Sequence, residues 1–215
     1  MQNVQPAPSP DGRLIAYHSV GRGGIWLVPA LGGVPRQLTA FGSSPAWSPD
    51  GSLVAFQSQA WAGSAEAFGA AGEGSTIWLV PAKGGEPRQL TSIAEVGPGG
   101  QGAPAWSPDG RLVSFVAGTR VFTVGRDGRG LRETSQGLRA HGVAWERSGR
   151  WQVWTGFQGG NWCVWRVPVA PATGEAAGEP QVLASGGERA SAWSHLALSP
   201  DGRAIAYVTF RTRYE

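Results

Sequence analysis

Cysteine and lysine are almost absent from this sequence. The first shortage bears on disulfide bonds and the second on nucleic-acid binding. Cys163 is the only cysteine, so no intrachain disulfide is possible and the redox compartment stays open. Because Cys163 lies in an apolar run, we expect a buried, inert thiol and not a nucleophile. Lys83 is the only lysine, and the arginines form no basic stripe. Nucleic-acid binding proteins usually carry such a stripe, so we expect no nucleic-acid partner.

Long apolar runs and catalytic signatures are missing as well. No stretch is long and apolar enough to span a membrane as a helix, so we expect no membrane insertion. Residues 1–6 lack the basic and apolar regions of a secretory signal peptide. Neither a Gly-x-Ser-x-Gly nucleophile elbow nor a His-Glu-x-x-His metal motif occurs. We therefore expect no catalytic residues, no metal site and no cofactor within this chain.

Glycine, proline and tryptophan are abundant instead, and they fall in a repeat. The segment Ala-Trp-Ser-Pro-Asp-Gly occurs at 46–51 and again at 105–110. The Ser-Pro-Asp-Gly turn also stands at 9–12 and 199–202, and a degraded copy ends at Gly149. The aligned turn glycines are 39, 59, 39 and 53 residues apart, which indicates a period near 40 with two insertions: Gly12, Gly51, Gly110, Gly149 and Gly202.

The first two repeats contain the same succession of short strands and turns, the next two contain weaker versions of it, and the fifth stops after its second strand. An alternating apolar strand follows the Asp-Gly turn, and then come a second strand, a Gly-Gly turn and a Pro-Arg-Gln-Leu-Thr segment. Short strands without helical periodicity, four in about 40 residues, are typical of one blade of a β-propeller. The sequence therefore predicts an all-β protein, a β-propeller with four complete four-stranded antiparallel blades and half of a fifth. The expected blades are 5–39, 44–91, 103–134, 141–184 and 194–215.

We expect residues 1–215 to form a single, incomplete propeller domain, because an open blade leaves unpaired strand edges. The Pro-Asp-Gly residues suit a tight turn, so we interpret the aspartates as structural. The turn at Gly149 lacks Pro and Asp, and we expect it to be looser.

Large aromatic side chains recur at two positions of the repeat. One position lies on the innermost strand (Trp47, Trp106, Trp145), and the other lies on the third strand (Trp26, Trp78, Phe122, Trp165). Such side chains bury much area, so we expect them to pack between neighbouring blades. A carbohydrate-binding ladder of aromatic residues remains the alternative.

These residues resemble the PD40, or TolB-like, β-propeller repeat family. The segment from Pro45 to Thr91 has nearly every element of that repeat around an insertion, and the resemblance covers almost the whole chain. The resemblance implies a propeller of six or seven blades in the intact protein, and an open or distorted five-bladed assembly is the alternative. Members of the family are often periplasmic or extracytoplasmic, although the chain itself leaves the compartment open.

The resemblance implies two kinds of function. The first is a non-catalytic scaffold or sensor module that binds a protein or a peptide. The alternative is the substrate-gating propeller of a prolyl-oligopeptidase-like serine peptidase or of an amidohydrolase, with catalytic residues outside this chain. Fold alone does not decide between them, because one architecture hosts many functions.

Candidate binding residues follow from the alignment of the repeats. Propellers tend to bind at the mouth of the central channel, where the innermost strands start. The aligned starts include Ala103 and Gly142, and the polar candidates at or near the mouth are Gln5, Ser44, Arg139, His141, Arg189 and His195. This set could bind a carboxylate or a peptide end, or its members could be solvated rim residues. In the insertion 59–74, Trp61 and Phe68 could contact a partner, or the segment could be a solvent-exposed loop without a binding role.

Overall fold

Five antiparallel sheets follow one another along the described part of the chain, as the repeat predicts. The computed structural model describes residues 3–59, 74–135, 137–185, 191–199 and 204–210, with the backbone alone for 191–195 and 207–210. Four sheets have four strands each, ordered as in the sequence, and the fifth has two. This arrangement confirms the prediction of four complete blades and half of a fifth.

The strands are short throughout. Blade 1 contains β1 (Asn3–Pro8), β2 (Leu14–Ser19), β3 (Ile25–Pro29) and β4 (Arg36–Gln37). Blade 2 contains β5 (Ser43–Trp47), β6 (Leu53–Gln57), β7 (Ile77–Pro81) and β8 (Arg88–Gln89). A single helical turn, α1 (Ile93–Val96), leads to blade 3, which contains β9 (Gln101–Trp106), β10 (Leu112–Ala117), β11 (Arg120–Gly125) and β12 (Arg132–Glu133). Blade 4 contains β13 (Arg139–Trp145), β14 (Trp151–Gln158), β15 (Asn161–Pro168) and β16 (Gln181–Ser185), and the half blade contains β17 (Ser191–Leu198) and β18 (Ile205–Phe210).

The Ser-Pro-Asp-Gly turn between the first two strands of a blade is held by its own side chains. In blade 2 the Ser48 hydroxyl donates to the Asp50 carboxylate at 2.6 Å and accepts the Leu53 N–H at 2.9 Å. Asp50 also accepts the Ser52 N–H at 3.0 Å. The same three bonds recur in blades 1 and 3. The structural role predicted for these aspartates is therefore confirmed.

The prediction of a looser turn in blade 4 is wrong. The Gly149 N–H donates to the Glu146 carbonyl at 2.9 Å, and the Glu146 N–H donates to the Trp151 carbonyl at 3.0 Å. Equivalent bonds close the other turns, and Gly149 has the same φ of 69° as Gly51. Because the turn depends on these backbone bonds and on a glycine at positive φ, it tolerates the loss of Pro and Asp.

Neighbouring blades share their apolar cores. Blades 1 and 2, 2 and 3, and 3 and 4 each contribute to one common cluster of buried side chains. Alternate residues of a strand face opposite neighbours: Val54 and Phe56 pack towards blade 1, whereas Ala55 packs towards blade 3. A thin sheet with two apolar faces cannot bury both by itself, so each blade depends on the next.

The innermost tryptophans cross these interfaces, as the repeat predicts. The Trp47 indole N–H donates to the Ala7 carbonyl of blade 1 at 3.0 Å. The Trp106 indole N–H donates to the Ala46 carbonyl of blade 2 at 3.1 Å. Ala7 and Ala46 occupy the same position of the repeat. An equivalent hydrogen bond therefore joins blade 1 to blade 2 and blade 2 to blade 3.

The third-strand aromatics pack between blades with one exception. Trp78, Phe122 and Trp165 each lie in or against the cluster shared with the preceding blade. Trp26 lies instead on a face of blade 1 that no described blade covers, and its indole N–H donates to the Gly23 carbonyl at 2.9 Å. The prediction of inter-blade packing is thus confirmed for three of these four residues.

The interface between blades 3 and 4 contains a buried polar network. The Trp145 indole and the Gln152 amide both donate to the Ser114 hydroxyl oxygen at 3.0 Å. Because these two bonds occupy both acceptor sites of that oxygen, Ser114 donates its own hydrogen to Thr123, at 2.7 Å. Gln152 accepts in turn from the Trp154 indole at 2.8 Å. Trp145 therefore also donates a hydrogen bond to the preceding blade, but its acceptor is the Ser114 side chain and not a backbone carbonyl.

Trp106→Ala should lower the free energy of unfolding by about 3–5 kcal/mol, because it empties a site in the cluster shared by blades 2 and 3. Trp106→Phe is the matched control, which keeps a ring but loses the bond to the Ala46 carbonyl; it should cost about 1–2 kcal/mol. Urea unfolding followed by circular dichroism measures both. A loss below about 1 kcal/mol for the alanine variant would show that Trp106 is not a core residue.

Asp50 should make the stability sensitive to acid. The Ser48 hydroxyl, followed by the Ser52 N–H, lowers the pKa of Asp50 from 3.8 to about 2. The unfolded chain therefore binds this proton more readily, so the stabilisation is present above about pH 4 and is lost as the pH falls towards 2. In urea titrations across this range, the stability difference between the wild type and Asp50→Asn should shrink with falling pH. Parallel curves for the two proteins would contradict this assignment.

Candidate functional site

The innermost strands share a backbone irregularity at the end where they start. Gln5, Ser44 and Ala103 have φ of 57°, 52° and 52°, in the left-handed region that residues with side chains rarely adopt. Each lies at a β-bulge: in blade 2, Ser44 and Pro45 together oppose one residue of the neighbouring strand. The pairing of β13 and β17 with their neighbours is also interrupted near this end.

Hydrogen bonds from the neighbouring blade hold these left-handed residues. The Ser44 N–H donates to the side-chain oxygen of Gln5 at 2.9 Å, and the Ala103 N–H donates to that of Gln57 at 3.2 Å. The structure thus brings the predicted mouth residues Gln5 and Ser44 together. It also shows that the Gln5 oxygen joins two blades. A direct role of Gln5 and Ser44 in binding stays a prediction.

Blade 4 carries a row of side chains at the same end, which we call the rim row: Arg139, His141, Phe157 and Trp162. Arg139, Phe157 and Trp162 are register partners on three successive strands, so they lie side by side on one face of the sheet. The Phe157 and Trp162 rings meet edge to face at 5.6 Å between centroids. The His141 ring packs on Trp162 at 5.1 Å. The row combines a cation, an imidazole and two aromatic rings.

The rim row exists because the hairpin of blade 4 is longer than its counterparts. In blade 3 the hairpin ends at the pair Ala117–Arg120, which corresponds to Gly156–Cys163 in blade 4. Blade 4 adds two further pairs, the first of which is Phe157–Trp162, before the turn Gly159-Gly160. Two consecutive residues at positive φ suit the tight turn that such a hairpin needs.

The electrostatics of the rim row leave one positive charge beside a neutral ring. Arg139 is exposed, and among the described residues no carboxylate forms an ion pair with it. Burial, followed by the nearby Arg139 guanidinium, holds the pKa of His141 below its ordinary value of 6.5. The imidazole is therefore neutral at neutral pH. A carboxylate could pair with Arg139 while an apolar group contacts the rings.

The remaining predicted site residues lie where side chains are not described. His195 is on strand β17, which follows blade 4, and only its backbone is described. Arg189, Trp61 and Phe68 lie outside the described residues, so their predicted contacts stay predictions. Phe157 and Trp162 were absent from the sequence-based set. The residues around Gly159-Gly160 that have no counterpart in blade 3 are the signal that could have found them.

Other kinds of site have no counterpart in the described part of the chain. There, no three His, Cys, Asp or Glu side chains come together in a way that could hold a metal ion. Nor is any helix within the described ranges long and apolar enough to cross a membrane.

Comparison with solved structures finds β-propellers whose folds are similar to that of this chain. A protein of Agrobacterium tumefaciens assigned as TolB matches with a TM-score of 0.75 and 22% identity, over 98% of this chain and 70% of that chain. This chain has the TolB-like β-propeller fold. TolB of Acinetobacter baumannii matches with a TM-score of 0.67 and 18% identity, over 97% of this chain and 54% of its own. An oligogalacturonate lyase of Vibrio parahaemolyticus matches with a TM-score of 0.64 and 16% identity, over 94% and 56%.

The TolB-like likeness concerns the fold and not the function. The identities are low, and the same architecture serves a TolB protein and a lyase among these matches. The chain spans about half the length of the Acinetobacter TolB and of the Vibrio lyase. No protein-family model matches the sequence, and no curated protein does so significantly.

Arg139→Gln should raise the pKa of His141, because it removes the nearby cation that disfavours a second positive charge. The pKa should stay below 6.5, since burial of the ring remains. An NMR titration of the His141 ring protons measures the change. Arg129→Gln, the same substitution at an exposed residue of blade 3, is the control and should leave the pKa unchanged. An unchanged value in Arg139→Gln would contradict the geometry of the rim row.

Proposed function

We propose that this TolB-like propeller is a non-catalytic binding module and that a protein or peptide partner docks on the rim row. The observation that carries the proposal is the row itself, in which Arg139 lies beside the exposed edge of Phe157 and the half-buried Trp162. Aromatic residues and arginine are the residue types that most often dominate the energy of protein interfaces.

The chemistry of the rim row favours a partner with a carboxylate next to an apolar side chain. Arg139 supplies the only formal charge of the row, and its donors suit a carboxylate. Phe157 is 39% exposed, and contact with an apolar group would remove this surface from water. An acidic peptide or the carboxyl terminus of a partner has both features.

The turns of the propeller support a role without bond chemistry. The carboxylates of Asp11, Asp50 and Asp109 each accept a serine hydroxyl and a backbone N–H within their own turn. They are therefore engaged in structure in every regular blade. A periplasmic or other extracytoplasmic location, common in the TolB-like family, fits a module of this kind.

Substrate gating is the second candidate function. The chain would then be the propeller of a prolyl-oligopeptidase-like serine peptidase or of an amidohydrolase, and the rim row would contact the substrate on its way to a catalytic domain. The match to a lyase supports this alternative only in that an enzyme carries the same fold.

Selection from a phage library of random linear peptides tests the proposal. Peptides that bind the full chain should be rich in acidic and apolar residues, and Trp162→Ala should weaken their binding by about 30-fold, as expected for an aromatic anchor. Arg139→Gln should weaken it by about 5–10-fold, with a loss of salt dependence. Fluorescence anisotropy of the labelled peptides measures both effects.

Two control variants at the opposite end of the blades should bind normally: Arg129→Gln for the charge and Leu31→Ala for the exposed apolar surface. Equal binding by the rim-row variants and the wild type would contradict the assignment of the site. Cleavage of the selected peptides by the complete gene product, lost when the rim row is changed, would favour substrate gating instead.

A further inference from the structure

The charge of the rim row is a single guanidinium. Arg139 is exposed, and no carboxylate within the described ranges forms an ion pair with it. The end of the longer hairpin, residues 158–161, has no charged side chain. A ligand with one carboxylate therefore matches the charge of the row. A segment with several acidic side chains would leave most of its charges without a partner there.

The apolar part of the row lies directly beside this cation. Arg139 and Phe157 are register partners on adjacent strands. Side chains at such opposite positions have Cβ atoms about 4.5–5.5 Å apart. Phe157 is 39% exposed, and on its other side Trp162 meets it edge to face at 5.6 Å between ring centroids. A ligand that uses both parts of the row must therefore present a carboxylate close to an apolar group.

The last residue of a polypeptide has this combination, because its carboxylate and its side chain are bonded to the same Cα atom. Both groups can then reach Arg139 and Phe157 together. Inside an extended chain, by contrast, successive side chains point to opposite faces, and side chains two residues apart are separated by about 6.6 Å. An internal acidic residue and an apolar neighbour therefore fit the row less well.

The hairpin of blade 4 makes the row accessible to a chain end. It extends two residue pairs beyond the position at which the hairpin of blade 3 ends. The turn of this extension is Gly159-Gly160, which adds no side chain of its own. The last residue of a partner can thus contact Phe157 and the half-buried Trp162 without entry of the whole partner into the channel mouth.

We propose that the rim row binds the free carboxyl terminus of a polypeptide whose last residue has a large apolar side chain. The Arg139 guanidinium donates to the terminal carboxylate, for which its planar arrangement of N–H groups is suited. The last side chain covers the exposed edge of Phe157 and contacts Trp162, which the His141 ring supports at 5.1 Å between centroids.

This inference rests on the proposed function and narrows its partner from acidic peptides in general to chain ends. A phage-displayed peptide with an internal acidic residue is then a weaker mimic of the partner.

Synthetic peptides with defined ends test the proposal. The probe is fluorescein-Gly-Ser-Gly-Ser-Ala-Phe with a free carboxyl terminus, and the same peptide as its carboxamide is the matched control. A third peptide, fluorescein-Gly-Ser-Gly-Ser-Asp-Phe carboxamide, has its carboxylate inside the chain. Fluorescence anisotropy with the full chain measures the dissociation constants. The free acid should bind about tenfold more tightly than either carboxamide, because hydrogen bonds to a charged group are strong.

A fourth peptide tests the apolar side chain. It has a free carboxyl terminus but ends in Gly in place of Phe. It should bind about tenfold more weakly than the probe, because it covers no apolar surface of the row.

Variants of the protein locate the effect. Arg139→Gln should weaken binding of the free acid by about tenfold and leave that of the alanine-containing carboxamide unchanged, so that the two bind equally. Trp162→Ala should weaken both peptides, since both keep the Phe side chain. Arg129→Gln, at the opposite end of the blades, is the charge control and should change neither. Circular dichroism of each variant checks that the fold is retained.

The outcomes separate this inference from the proposed function. A preference for the free acid that disappears in Arg139→Gln supports the inference. Equal binding of acid and carboxamide, both weakened by Trp162→Ala, would overturn it and leave the rim row as a docking site. Binding of the internal-carboxylate or the Gly-ended peptide as tight as that of the probe would overturn it too. Binding that neither rim-row variant weakens, or no binding of any peptide, would contradict the proposed function as well.

Discussion

The packing of blade on blade is the constraint on which this structure depends. Each four-stranded sheet has apolar side chains on both faces, and a sheet this thin has no interior of its own. The cores therefore lie between blades, where alternate residues of one strand belong to two different clusters. The Trp47 and Trp106 indoles add a hydrogen bond to the same clusters, and the outer-strand arginines bridge the blades at their periphery. A repeat that forms one such interface can form the next in the same way.

The same interfaces shape the candidate site. A left-handed residue at the start of an innermost strand is unfavourable by itself, and it persists because the neighbouring blade offers an acceptor for its N–H. The hydrogen bonds between blades thus stabilise the backbone conformation at the start of the innermost strands. Onto this regular end, blade 4 adds two residue pairs, which place Phe157 and Trp162 beside Arg139. Under the proposed function, the binding site therefore lies where blade 4 departs from the repeat.

The sequence predicted the repeated parts well and the departures poorly. The spacing of the turns, the blade count and the tryptophan interfaces followed from the residues, because turn chemistry and apolar alternation are local signals. The firm turn at Gly149 was missed because its backbone bonds do not need the Pro and Asp that mark the other turns. Trp162 was missed because its neighbours in space, His141 and Phe157, lie on other strands. Long-range register of this kind cannot be read from spacing alone.

Hydrogen exchange of the indole N–H protons tests the claim that the blades are stabilised by their neighbours. Trp47, Trp106 and Trp145 each donate across an interface, and NMR of protein with labelled tryptophan resolves these protons. If the interfaces hold the blades, the three indoles should exchange with the same free energy as the best protected strand amides, since both require global unfolding. Indoles that exchange through local opening while the amides of the central strands stay protected would contradict it, because the blades would then be stable without their interfaces.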